Sequence, residues 1–197
     1  MGLQIVNITC PGCGARVQPN ATLCEYCKGP IVITSFNSVA QMSLPLVNKY
    51  ANAYKKNLLE APDDQNLNTS IAMCYLKLRL YDKAFPAFEK AIEDNFDNSE
   101  PYFYAAVCLL KGKKAFLAKR EDINRIEELV NAALSIESRG IYLYFLAYIK
   151  NDYFKRKFLN TSPTYEEYLA EANKLGTSEC DKQMLFELLN VAKPKDF

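Results

Sequence analysis

Histidine is absent from all 197 residues. A Ser-His-Asp triad, a Cys-His pair and any metal site built on imidazole are therefore excluded. Glycine is scarce: the seven present form neither a phosphate-cradling loop nor a dinucleotide-binding one. An excess of one charge is also lacking. With 24 basic and 23 acidic residues the net charge is +1, so no global field draws the chain to nucleic acid or to an anionic membrane. No apolar run approaches membrane-spanning length, since Ile141 to Ile149 is interrupted by tyrosines and followed by Lys150 and Asp152. The opening residues have no basic region and too short an apolar stretch for a signal peptide, and Val6 breaks the myristoylation pattern. A cytoplasmic protein without a membrane partner is expected. Catalysis finds no footing: Glu166 and Glu167 are adjacent on a helical segment, point in different directions and make a poor acid/base pair. No small-molecule substrate is evident, and no enzyme is expected.

What the chain does have is cysteine in a pattern. Cys74, Cys108 and Cys180 are scattered and odd in number, which suits buried, inert thiols in a reducing compartment. The other four form two knuckles, Cys10-Pro-Gly-Cys13 and Cys24-Glu-Tyr-Cys27, ten residues apart. Two such knuckles can close a tetrahedral four-thiolate site, normally one of Zn²⁺, with iron of the rubredoxin type as the other occupant to weigh. Four thiolates leave no coordination position for water, so the ion would be structural. Pro11, Gly12 and Gly14 supply the first tight turn, and Gly29 with Pro30 follows the second. Short β-type runs flank them at Leu3 to Ile8, Arg16-Val17 and Ile31 to Ile33.

Over residues 8–33 this line resembles the short bacterial zinc-ribbon family in knuckle spacing, in Pro and Gly placement, and in the apolar Leu23 before the third cysteine. Lys28 departs from it, standing where the family often has glycine, and Gly29 is expected to take over the turn. Residues 1–45 hold only three charged side chains, Arg16, Glu25 and Lys28, too few basic groups for a phosphate-binding surface. Leu3, Ile5, Ile8, Ile31 and Ile33 are more apolar than a free-standing ribbon needs, which points to docking on the helical part or on another protein.

Residues 35–44 read as a polar-leaning linker, and from Pro45 the pattern is helical. Ala72-Met-Cys-Tyr-Leu-Lys77 recurs as Ala106-Val-Cys-Leu-Leu-Lys111 at an offset of 34 residues. With Gln65 as the first position, Ala72 and Tyr75 fall at the eighth and eleventh, and Ala84, Phe88 and Ala91 at the twentieth, twenty-fourth and twenty-seventh. This pattern resembles the tetratricopeptide repeat in its small and aromatic positions. A second repeat starts at Ser99 with about eight extra residues before Ile126, Val130 and Ala133 resume the pattern. A degenerate third starts at Gly140, with Ala147 in the small position. A helix is expected from Ser162-Pro163 to Gly176, and Ser178 to Asp181 caps a last amphipathic one. The expected architecture is mainly α: a small β zinc ribbon at 1–34, a linker at 35–44, and a tetratricopeptide-like solenoid at 45–197 ending in a capping helix.

The repeat resemblance implies a concave groove lined by Thr69, Met73 and Leu76, by Phe103, Val107 and Leu110, and by Tyr144 and Tyr148. Such a surface suits a hydrophobic peptide or helix. The competing reading makes the same side chains core, covered by another segment of this chain. Thr69, Met73 and Phe103 also stand where a sub-type that clamps C-terminal carboxylates has polar residues. Between 139 and 168 nine aromatics surround Lys155-Arg156-Lys157; a buried aromatic stripe with solvated charges is expected there, rather than a nucleic-acid platform. The sequence thus reads as a non-catalytic adaptor for a protein partner, stiffened by one structural Zn²⁺. A nucleic-acid-associated zinc-ribbon protein is the alternative.

Overall fold

The computed structural model describes residues 9–18, 21–93 and 95–194. Two compact units divide it, Met1–Asn95 and Phe96–Phe197. Both are helical in the main.

In the first unit the two cysteine knuckles precede four helices. No strand forms among the described residues. Pairing is reduced to single bridges, Thr9 with Arg16 and Leu23 with Pro30. The expected ribbon strands at 16–17 and 31–33 are therefore absent, and the run Leu3 to Ile8 lies outside the described residues. Pro30 offers one reason: it has no N–H with which to continue a ladder. Residues 35–44, read above as a linker, contain a single helical turn, α1 (Asn37–Ala40), and bury Phe36 and Val39.

Helix α2 (Leu44–Asn57) has Pro45 in its first turn, where a missing N–H costs nothing. Its buried residues, Val47, Tyr50, Ala51 and Tyr54, follow the i, i+3, i+4, i+7 spacing of one apolar stripe. Helix α3 (Gln65–Lys77) starts where Asp64 accepts a hydrogen bond from the Leu67 amide at 2.8 Å. It is buried on nearly every side, flanked by α1, α2 and α4 (Tyr81–Ile92). Its interior polar groups are satisfied locally: Asn68 donates to the Pro62 and Asp64 carbonyls, and Thr69 to that of Gln65. Ser70 does more. Its hydroxyl accepts from the Ile33 amide at 2.8 Å and lies within 3.4 Å of the Ile33 carbonyl, fastening the chain after the second knuckle to α3.

The second unit carries α5 (Glu100–Leu109), α6 (Arg120–Ile136), α7 (Gly140–Ile149), α8 (Tyr165–Lys174) and α9 (Glu179–Leu189). Helices α5 and α6 pack as one hairpin, α7 and α8 as another. The joint between α7 and α8 is tight: a Cβ on Gly140 would come within 2.8 Å of the Ala172 carbonyl oxygen, so only glycine fits. Helix α8 begins later than Ser162-Pro163 predicted. Thr164 and Glu167 form a reciprocal cap two residues downstream, which is what the Glu167 carboxylate is used for. Ser178 caps α9 as expected.

The spacing-derived small positions are all core. Ala72, Ala84, Ala91, Ala106, Ala133 and Ala147 have no exposed surface, and Phe88, Ile126 and Val130 are buried beside them. A bulky ring at these sites has no room. Ala72→Trp and Ala106→Trp should each destabilise the chain by about 1–3 kcal/mol through overpacking, read as a lowered Tm in thermal denaturation. Unchanged midpoints in both would show that these alanines do not set the helix approach.

Candidate metal centre

Each knuckle is closed the same way. The Gly14 amide donates to the Cys10 carbonyl at 2.8 Å, and the Lys28 amide to that of Cys24 at 2.9 Å. Cys10 N–H then reaches the Ala15 carbonyl and Cys24 N–H that of Gly29. The residue after the second cysteine must turn through the left-handed region: Gly14 has φ +77° and Lys28 φ +59°. Lys28 thus makes the turn itself, and Gly29 does not take it over as the sequence comparison predicted.

The two turns bring the four sulfurs together. All lie within 4.8 Å of one another, with Cys10 Sγ 3.5 Å from Cys27 Sγ and Cys13 Sγ 3.6 Å from Cys24 Sγ. These approaches are far longer than the ~2.05 Å of a disulfide. They are close to the ~3.8 Å edge of a tetrahedron with metal–sulfur bonds of ~2.3 Å. The closest pairs join one knuckle to the other, so an ion bound here would tie the two together. Cys10 and Cys24 are buried, while Cys13 and Cys27 face solvent. The Cys27 amide, donating to the Cys24 sulfur, holds that thiol down at about 6, favouring the thiolate a metal requires. Burial pushes Cys10 up to about 12. The donor set fits one metal ion.

The knuckles are not free-standing. The Tyr50 ring of α2 sits against both glycine turns. A Cβ at Gly29 would meet the Tyr50 hydroxyl at 2.3 Å, and one at Gly12 would meet it at 2.9 Å. The Tyr54 hydroxyl donates to the Ile31 carbonyl at 3.0 Å, and the Lys49 ammonium donates to the Gly12 carbonyl. Tyr50, Tyr54 and Ser70 were missed in the sequence, although two tyrosines inside an apolar helical stripe mark a face that buries rings yet needs polar partners for their hydroxyls.

The eight residues expected to line a partner groove are all buried: Thr69, Met73 and Leu76 on α3, Phe103, Val107 and Leu110 on or just after α5, and Tyr144 and Tyr148 on α7. An open groove is not formed by these side chains, and the competing core reading describes them. In the second unit the cover is α9. Phe186 sets its edge against Tyr144 at 6.3 Å and Tyr148 at 5.3 Å between ring centroids, and Leu185, Leu188 and Leu189 are buried with it. Phe103 packs against Tyr142 and Phe145 at 4.6 and 5.7 Å. Met184 and Leu185 come against Phe103 and Tyr142 at this seat. In the first unit α3 lies among α1, α2 and α4.

Among the described residues, no helix is long and apolar enough to cross a membrane. Compared with known proteins, the chain matches no family model and no curated protein by sequence.

The contact between Tyr50 and Gly29 can be tested directly. Gly29→Ala should lower stability by about 1–3 kcal/mol and weaken metal retention, because the new methyl meets the hydroxyl. Adding Tyr50→Phe removes the clashing oxygen and should restore most of the loss in chelator-challenge and melting experiments. An undiminished defect in the double variant would refute the contact.

Proposed function

We propose that this chain is a non-catalytic adaptor that binds a protein partner, with Cys10, Cys13, Cys24 and Cys27 holding one structural Zn²⁺ in a ribbon-like module. Zinc is the usual structural occupant of a closed four-thiolate shell, and because iron of the rubredoxin type takes the same shell, metal analysis must read both. The buried cluster of the module is little more than Cys10, Cys24 and Ile31, so the ion supplies folding energy that apolar contact cannot.

The observation that carries the partner reading is the seat of α9. In a tetratricopeptide-like array the first helices of successive hairpins, here α5 and α7, offer their faces to a ligand helix. Those faces take an amphipathic helix of this same chain, presenting Leu185, Phe186, Leu188 and Leu189. A partner helix of like pattern competes with α9. The competition is stiff, because a tethered segment acts at an effective concentration on the order of millimolar. Each buried leucine or phenylalanine adds roughly 1.5–3 kcal/mol of apolar transfer, set against the cost of ordering the helix.

Two measurements test the reading. One mole of zinc should copurify with each mole of chain, and Cys24→Ser should lose it; full retention in that variant would sink the four-cysteine assignment. For the groove, a labelled peptide of residues 178–191 should bind the Phe186→Ala/Leu189→Ala chain at least tenfold more tightly than wild type, by fluorescence anisotropy. Equal binding, or none to either, would reject α9 as a displaceable occupant.

A further inference from the structure

The net charge of +1 hides a segregation. Residues 111–120 and 155–160 together hold eight of the chain's 24 basic residues and none of its 23 acidic ones. The fold brings the two stretches to one place in the second unit. Asp152, buried in the π-helical turn Lys150–Phe154, accepts from the Phe116 amide at 2.9 Å and pairs with the Arg156 guanidinium at 2.6 Å. Arg156 also lies over the Phe116 ring, 4.4 Å from its centroid, and Lys157 approaches the same ring at 5.2 Å. The insertion between α5 and α6 is thereby ordered, with a short 3₁₀ turn at Ala115–Leu117.

Its surface is apolar as well as basic. Phe158 is 95% exposed and Leu117 67%, and Leu159, next to Phe158 in sequence, is exposed too. Phe158 also occupies a left-handed turn position, φ +57°, where glycine or asparagine would be easier to place. It has no core role to explain it, although Tyr142 through Phe154 in the same stripe are buried as the sequence predicted. Lys113, Lys114 and Lys119, in the same loop as Leu117, are exposed as well.

We propose that this end of the second unit docks on an anionic lipid bilayer, with the lysines drawn to the headgroups and Phe158 and Leu117 entering the interface. A basic cluster around exposed apolar side chains matches both components of such a surface. The alternative of single-stranded nucleic acid is less well served. Stacking along a strand needs several open aromatic faces, and apart from Phe158 the rings here carry the chain's own cations: Lys155 over Tyr165 at 4.3 Å, Lys157 over Tyr153 at 3.8 Å, Arg156 over Phe116. The arginines, best suited to phosphate forks, lie over rings too, Arg120 on Phe154 at 4.8 Å.

The test is vesicle co-sedimentation of the full metal-loaded chain. Binding is expected to vesicles of phosphatidylcholine mixed with phosphatidylglycerol and not to phosphatidylcholine alone, and it should fall with added salt. Lys113→Glu/Lys114→Glu/Lys119→Glu should weaken it more than tenfold, since each charge near the surface contributes roughly a fivefold factor. Phe158→Ser/Leu117→Ser should weaken it while leaving the salt dependence intact, with circular dichroism confirming that both variants fold. Wild-type salt titration keeps the test independent of the variants. No binding to anionic vesicles, equal binding to neutral ones, or preference for a single-stranded oligonucleotide over the vesicles would overturn the proposal.

Discussion

The N-terminal unit depends on four sulfur atoms being held within 4.8 Å of one another. Unscreened, four thiolates at that separation repel, so the arrangement is stable as a folded object only with thiols protonated or a cation between them. Much else follows from that point. The knuckles are too small to bury a core, and they lean on α2 through the Tyr50 ring. The chain leaving them is then fixed to α3 by Ser70 and to α2 by Tyr54. Order in the knuckles and order in the first helices are consequently one cooperative matter.

Much of this was legible in the residues. The cysteine spacing located the donor set, because two turns of fixed length leave the sulfurs little choice. The 34-residue offset located the hairpins, because alanine at a helix crossing records how closely two backbones approach. Ala72 and Ala106 are fully buried for that reason. Illegible were features set by contacts distant in sequence. A strand was expected at Ile31 to Ile33, yet Ile33 finds its partner in the Ser70 side chain, and propensity says nothing of a hydroxyl 37 residues away. The turn at Lys28 was misassigned because glycine is merely the easiest residue in the left-handed region, not the only one.

The groove shows the same limit differently. Repeat register placed Phe103, Tyr144 and Tyr148 on one face, and they do share a buried apolar neighbourhood. Register alone could not tell whether that face meets a partner or the chain's own α9, since the same amphipathic pattern serves both. The basic stretches were likewise visible one at a time. Only a shared acceptor, Asp152, makes them a single surface.

That acceptor has a further consequence. In a regular repeat array each hairpin is a module that touches its neighbours and can be removed or exchanged without remaking them. Here the loop of the α5/α6 hairpin is closed by a carboxylate that follows α7, and the Tyr148 hydroxyl stands 3.4 Å from the Ala115 amide of that loop. The hairpin cannot be excised with its loop intact, nor can α7 be replaced by a consensus helix without unlatching it. The second unit lacks the modularity of such an array, and what it has instead is a long loop with a fixed shape.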